Sequence, residues 1–319
     1  MLRLKKTLFT LAAVMLVFTA CKHDEKKHDF GIKDLDKKAV LSFSIMSDNK
    51  GYAPSNNMDM KKCDAWIREA GDKFILGLGD HVKDSRANPF LDLIKHDELW
   101  HNKFYPNVAD GENEYWGENQ GDYGAGEPIL EYVDLPMRSN VKVNPENFCE
   151  YYAVEEHGGV KVHVIQLYYS DTPKDPDIAF KQQSREYLMN VLDTIKKGEN
   201  DIIVVLAHTD HWVYVLDKDQ QDKLMKKADL ILDANKHYYR IYHPKEDTPP
   251  NSALYINSGS VGNSGVSSGF LQIHVLKDPL RMIVQYQETK GVDRELKSDS
   301  LALEKVIGGP VTEVDWSKF

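Results

Sequence analysis

The sequence predicts a layered α/β fold in one large domain, and two observations carry that expectation. Short apolar runs rich in Val, Ile, Leu and Phe alternate with longer segments of helical spacing from Val40 to about Gly291, and no Pro/Gly/Ser-rich break divides them. Acidic and histidine residues also stand where successive apolar runs give way to loops. These are Asp48 after 40–46, Asp80 after 74–79, Glu112 and Asn113 within 109–114, His208 after 202–207 and His237 soon after 230–232. Strand ends in such folds meet along one rim of a sheet, so oxygen and imidazole donors far apart in sequence can converge there on metal ions. That pattern points to metal-assisted hydrolysis.

Taken in order, strand 40–46 leads through a Gly-Tyr-Ala-Pro-Ser loop to a helix near 57–70, where Met60, Cys63, Trp66 and Ile67 share one face. Strand 74–78 precedes a helix near 88–100, and Pro89 suits its first turn because the N–H it lacks would have no helical partner there. Residues 107–128, rich in Gly, Asn, Asp and Glu, read as a long acidic loop over the site. Tyr151–Val154, His157-Gly158-Gly159 and 160–165 predict a β-hairpin. A helix near 180–196, strands 202–206 and 229–232, and three antiparallel strands at 253–257, 270–275 and 281–286 follow. From Val292 the pattern weakens to a charged peripheral tail that includes Trp316.

The first twenty residues read as a lipoprotein signal. Arg3, Lys5 and Lys6 precede an apolar run from Leu8 to Phe18, which is shorter than the roughly 20 residues of a comfortable membrane span, and Thr19-Ala20-Cys21 follows. A cysteine in that place resembles the bacterial lipobox, so Cys21 is the expected lipidation site. The charged stretch after it has little to bury and reads as a tether over 21–38. The expected location is therefore the cell envelope, lipid-anchored to a membrane, with its face left open.

About 300 residues remain beyond the signal, enough for a full α/β core. A net charge of -10 describes an acidic protein and argues against a nucleic-acid-binding surface, which needs a basic face. Cys63 and Cys149 are left to pair in an oxidising compartment or to remain two separate buried thiols.

The order of the strand-end residues resembles the calcineurin-like metallophosphoesterases, over residues 40–289. Family members carry Asp-x-His, Gly-Asp, Gly-Asn-His-Asp/Glu, a lone His, and Gly-His-x-His after successive strands. Here those positions read Asp48-Asn49-Lys50, Gly79-Asp80, Gly111-Glu112-Asn113-Glu114, His208 and Ala234-Asn235-Lys236-His237. Tyr255 to Gly262 is similar to the family's strand and glycine turn behind the metals. The resemblance implies a four-layer αββα sandwich, one or two divalent ions (Mn, Zn, Fe or Ca) and a phosphate mono- or diester substrate. It implies that Asp80 bridges two metals, that Asp48 and His237 serve the first, and that Glu112, His208 and Asn235 serve the second.

The departures have chemical consequences. Lys50 stands where an imidazole ligand is expected, and an ammonium has donors but no lone pair, so it cannot ligate. As a catalytic residue it would instead be a fixed cation beside a single metal. Asn113 replaces the histidine that helps protonate the leaving group, and a neutral amide cannot supply that proton. His81 or His211 is the expected recruit from neighbouring loops. Two readings follow: a remodelled site that hydrolyses a phosphoester, or a catalytically impaired fold kept as a surface binding module.

Overall fold

A computed structural model describes residues 35–81, 89–107, 135–136, 139, 141–143, 149–168, 178–209, 211–243, 251–262, 268–289 and 302–314. Two seven-stranded mixed sheets organise them. The first, in the order β14-β13-β12-β11-β1-β2-β3, comprises β1 (Leu41–Met46), β2 (Ile75–Gly77), β3 (Phe104–Pro106), β11 (Gly269–Leu276), β12 (Arg281–Glu288), β13 (Ala302–Val306) and β14 (Val311–Glu313). The second, in the order β4-β5-β6-β7-β8-β10-β9, comprises β4 (Lys142–Val143), β5 (Glu150–His157), β6 (Val160–Leu167), β7 (Asp201–Ala207), β8 (Leu230–Asp233), β9 (Tyr239–His243) and β10 (Leu254–Ser258). In the first sheet β1 and β2 run parallel, with Ile45 opposite Leu76; in the second β6, β7, β8 and β10 run parallel, with Val204 opposite Leu230. Parallel neighbours end on the same side, and this is what gathers their C-terminal loops into one rim.

Period-two alternation assigns each strand's faces. Phe43 and Ile45 of β1, Ile273 of β11 and Val284 of β12 point inward against Val162, Val204, Leu232 and Ile256 of the second sheet, forming the core between the sheets. Outside the second sheet, Leu188 and Leu192 of α4 (Ile178–Thr194) and Leu224 of α5 (Lys218–Lys227) pack on Ile203, Val205 and Ile231. Outside the first lies α1 (Met58–Ala70), whose buried face is Met60, Cys63, Trp66 and Ile67. Asn57 caps its start by accepting from the Met60 N–H at 3.0 Å, and Gly71 ends it with φ 68°. The layers are thus helix, sheet, sheet, helix.

Several boundaries differ from the sequence expectation. The helix over 88–100 is two helices, α2 (Pro89–His96) and α3 (Glu98–Lys103), because Asp97 adopts extended backbone and its carboxylate accepts from the Leu99 and Trp100 N–H groups. Residues 302–313, expected in a peripheral tail, instead form β13 and β14, with Leu303 opposite Glu313. At the other end Leu35, counted with the tether, is buried against Leu276 and Ile283. The hairpin of β5 and β6 turns at Gly158 and Gly159, both with positive φ as a two-residue type I′ turn requires. Cys63 and Cys149 are separate buried thiols, and Cys149 lies 3.4 Å from the Ser184 hydroxyl. Cys21, Glu112, Asn113 and Trp316 lie outside the described residues.

The outward face of the first sheet is polar although it is buried. Ser42, Ser44, Gln272, His274, Gln285 and Gln287 occupy it, and hydrogen bonds link some of them: Ser42 Oγ lies 2.9 Å from His274 Nδ1, and Gln287 donates to Gln272 at 3.0 Å. Burial holds His274 down to about 4, against an ordinary 6.5. The unfolded chain therefore binds the extra proton between these values, so this residue's contribution is complete above about pH 6.5 and is lost as pH falls toward 4. A loss of about 3 kcal/mol is expected across that window. Urea midpoints measured from pH 7 to 4 should fall more steeply for the native chain than for His274→Gln; equal slopes would refute the assignment.

Candidate metal centre

Four loops converge at the C-terminal rim of the two sheets. The loops after β1 and β2 are zipped together by backbone bonds, Asp48 N–H to Gly79 O at 3.1 Å, Lys50 N–H to Asp80 O at 3.0 Å and Gly51 N–H to His81 O at 2.9 Å. From the second sheet, Ala234 N–H donates to His208 O at 3.0 Å, which joins the loops after β7 and β8. The sheets meet where the Asn235 N–H donates to Asp48 Oδ2 at 3.1 Å. Eight non-glycine residues among those described have positive φ, and six of them are Asp48, Lys50, Asp80, His211, Asn235 and His237. Such backbone costs about 1–3 kcal/mol per residue for side chains that do not favour it, and it survives where surrounding structure over-determines it.

One ligand atom from each of Asp48, Asp80 and His208 lies within 4.8 Å of the others, and all three residues are buried. His208 Nε2 is 3.5 Å from Asp80 Oδ2 and 3.8 Å from Asp48 Oδ1. His237 Nε2 meets the same Asp48 oxygen at 2.9 Å. The Lys50 ammonium hydrogen-bonds Asp80 Oδ2 and stands 3.8 Å from Asp48 Oδ1. Burial opposes the charge of Asp48, but His208, the hydrogen bond from His237 and Lys50 outweigh it and hold the carboxyl well below the usual range. Two carboxylate oxygens and an imidazole nitrogen converging in a buried corner form a donor set that fits a divalent cation of hard to borderline character.

The other residues singled out from the sequence are placed differently. Asn235 reaches Asp48 through its backbone N–H. The His81 ring sits between Phe90 and Phe104; its Nδ1 lies 2.7 Å from Asn49 Oδ1 and its Nε2 accepts from the Gly79 N–H at 3.2 Å. Burial lowers its pKa to about 3, so it is a neutral strut that shapes the loop, with both ring nitrogens engaged. Gly77 makes room for it, since a Cβ there would come within 2.4 Å of His81 Nε2 and 2.8 Å of the Phe104 ring. His211 packs its ring against Tyr214 and Tyr242 on the outer side of the second sheet, away from the Asp48–Asp80–His208 group. Beside it, Trp212 donates its indole N–H to Leu232 O and packs in the outer core.

Sequence reasoning missed Asn257 and Asn49. Asn257 donates from its side chain to Ala234 O at 2.8 Å and accepts from Gly259 N–H, holding the turn that carries Asn235 and His237. An asparagine inside the apolar run 253–257 was the available signal, because an amide in such a run must be bonded once buried, as Asn257 is.

No family model matches the sequence, and no curated protein is significantly similar to it. Solved structures are. GAP50, the anchor in the inner membrane complex of Plasmodium, superposes with a TM-score of 0.52 at 13% identity, over 84% of this chain and 89% of that one. A dimetal phosphatase from Danio rerio superposes with a TM-score of 0.51 at 10% identity, over 84% of this chain and 99% of the phosphatase. The chain has the metallophosphoesterase fold. At these identities the likeness concerns the fold alone. Within the fold, the Asp48–Asp80–His208 group lies at the strand-end rim where the sequence pattern expected a metal.

Proposed function

We propose that the protein hydrolyses a phosphate ester with the help of a divalent cation held by Asp48, Asp80 and His208. The carrying observation is that these three buried side chains, brought from both sheets, present their ligand atoms within 4.8 Å of each other. A cation bound there supplies Lewis acidity toward phosphoryl oxygens and activates water for attack. The chain's own groups prepare the corner for it. His237 orients Asp48 through the 2.9 Å contact, and the Lys50 ammonium, bonded to Asp80, places positive charge beside the point where an ester anion would bind. Release of a chromogenic alcohol from a phosphomono- or diester, assayed with added Mn, Zn, Fe or Ca, tests the reading, with Asp80→Asn as the control.

The Lys50–Asp80 ion pair favours a second reading. It neutralises part of the carboxylate charge without any metal, as a surface binding module descended from an enzyme would need. Absence of turnover with every cation, together with a thermal shift on adding a ligand, would select it.

In either case the proposed setting is the cell envelope, with the domain tethered through a lipid on Cys21. Among the described residues no helix is long and apolar enough to cross a membrane. Cys21→Ala is expected to move the protein from the membrane pellet to the soluble fraction. Unchanged sedimentation would refute the lipid anchor.

A further inference from the structure

We infer that the Lys50 ammonium occupies a cation position of this centre, so that Asp80 bridges an ammonium and one divalent ion in place of two divalent ions. The inference deepens the proposed function and rests on it. Its basis is where the lysine nitrogen sits: bonded to Asp80 Oδ2 and 3.8 Å from Asp48 Oδ1, the oxygen that His237 Nε2 meets at 2.9 Å. Asp48 and Asp80 are carboxylates a divalent cation would use, and Nζ bonds one of them and stands 3.8 Å from the other. His208 Nε2 lies 3.5 Å from the same Asp80 oxygen and offers a ligand position for one ion.

The backbone fixes this arrangement. Lys50 has φ 46°, its N–H is bonded to Asp80 O, and the Gly51 N–H is bonded to His81 O. The side chain therefore leaves a loop that is tied to the neighbouring loop on both sides of Lys50. Its ammonium heads into the carboxylate pair with a stem that is mostly covered. A second divalent ion at the same carboxylates would face that ammonium across a few ångströms of poorly screened space, and like charges there repel strongly. Lysine thus excludes the ion whose charge it replaces. Unlike a bound metal, the lysine cannot be removed by a chelator.

The experiment counts bound cations. Full-length protein in detergent is saturated with Mn or Zn and desalted, and the metal retained per chain is measured by elemental analysis for the native chain, Lys50→Ala and Lys50→His. Histidine is a fair replacement because it tolerates the left-handed backbone of position 50 and carries a lone pair. The expected result is one ion per native chain and two per chain in both variants. Two ions in the native chain, or no gain in folded variants, would overturn the inference while leaving metal-dependent hydrolysis standing. No ion in the native chain, whatever the variants hold, would overturn both the inference and the hydrolytic reading. If both variants fail to fold, the native count decides alone, with one ion supporting the inference and two or none overturning it.

Discussion

Asp80→Asn is expected to lower kcat/KM for any phosphoester the protein turns over by about a thousandfold, the equivalent of several kcal/mol of transition-state charge stabilisation. The substitution is unusually clean at this position. Asp80 has φ 54°, a left-handed conformation that asparagine adopts at least as readily as aspartate, so the loop has no reason to rearrange. What changes is charge: the oxygen that Lys50 bonds and that lies 3.5 Å from His208 Nε2 loses its formal negative charge. A melting temperature within a few degrees of the native value, together with the collapse in rate, would assign the loss to the centre. An unchanged rate would mean that catalysis, if present, happens elsewhere.

The second large effect concerns the scaffold. Phe43 is fully buried and stacks on Phe74 with ring centroids 4.5 Å apart; Phe74 meets Tyr105 edge-on at 6.1 Å, and Tyr105 stacks on Tyr152 of the second sheet at 4.9 Å. This aromatic run ties one sheet to the other. Phe43→Ala removes its first member and leaves a cavity between two sheets that cannot close around it, at an expected cost of about 3–5 kcal/mol. Against a typical total of about 5–15 kcal/mol, that is a large share. Urea unfolding should show a lowered midpoint with an unchanged slope, and Phe43→Leu should lose less than half as much. A loss below about 1 kcal/mol would mean the core is not built as described.

β7 and β8 were readable as nearly unbroken apolar runs because both their faces are covered, and β1 and β6 were readable from the alternation of inward apolar residues with polar ones. The buried face of α1 was equally readable from its spacing. By contrast, β13 was hidden. It reads Ala-Leu-Glu-Lys-Val, and Lys305 is buried there with its ammonium donating to Gly309 O at 2.6 Å, an arrangement that composition disguises as a solvated tail. The break at Asp97 was missed because an aspartate inside a helical pattern announces a cap only once the turn is known.

At the centre, the order of Asp48, Asp80, His208 and His237 along strand ends was legible, and the structure brings all four within one connected group. The identity of the recruited neighbours was not. His81 and His211 have the right chemistry and sit beside the right residues, yet packing against Phe90 and Phe104 in one case and against Tyr214 and Tyr242 in the other decides their roles. Sequence distance carries no information about which side of a strand a following loop residue falls on.

The zipped loops carry a last implication. Because main-chain bonds lace the turns after β1 and β2 to each other, much of the cradle's shape is independent of the side chains it displays. Natural drift can then exchange an imidazole for an amine, or one charge for another, and sample new chemistry without first having to rebuild the platform that presents it.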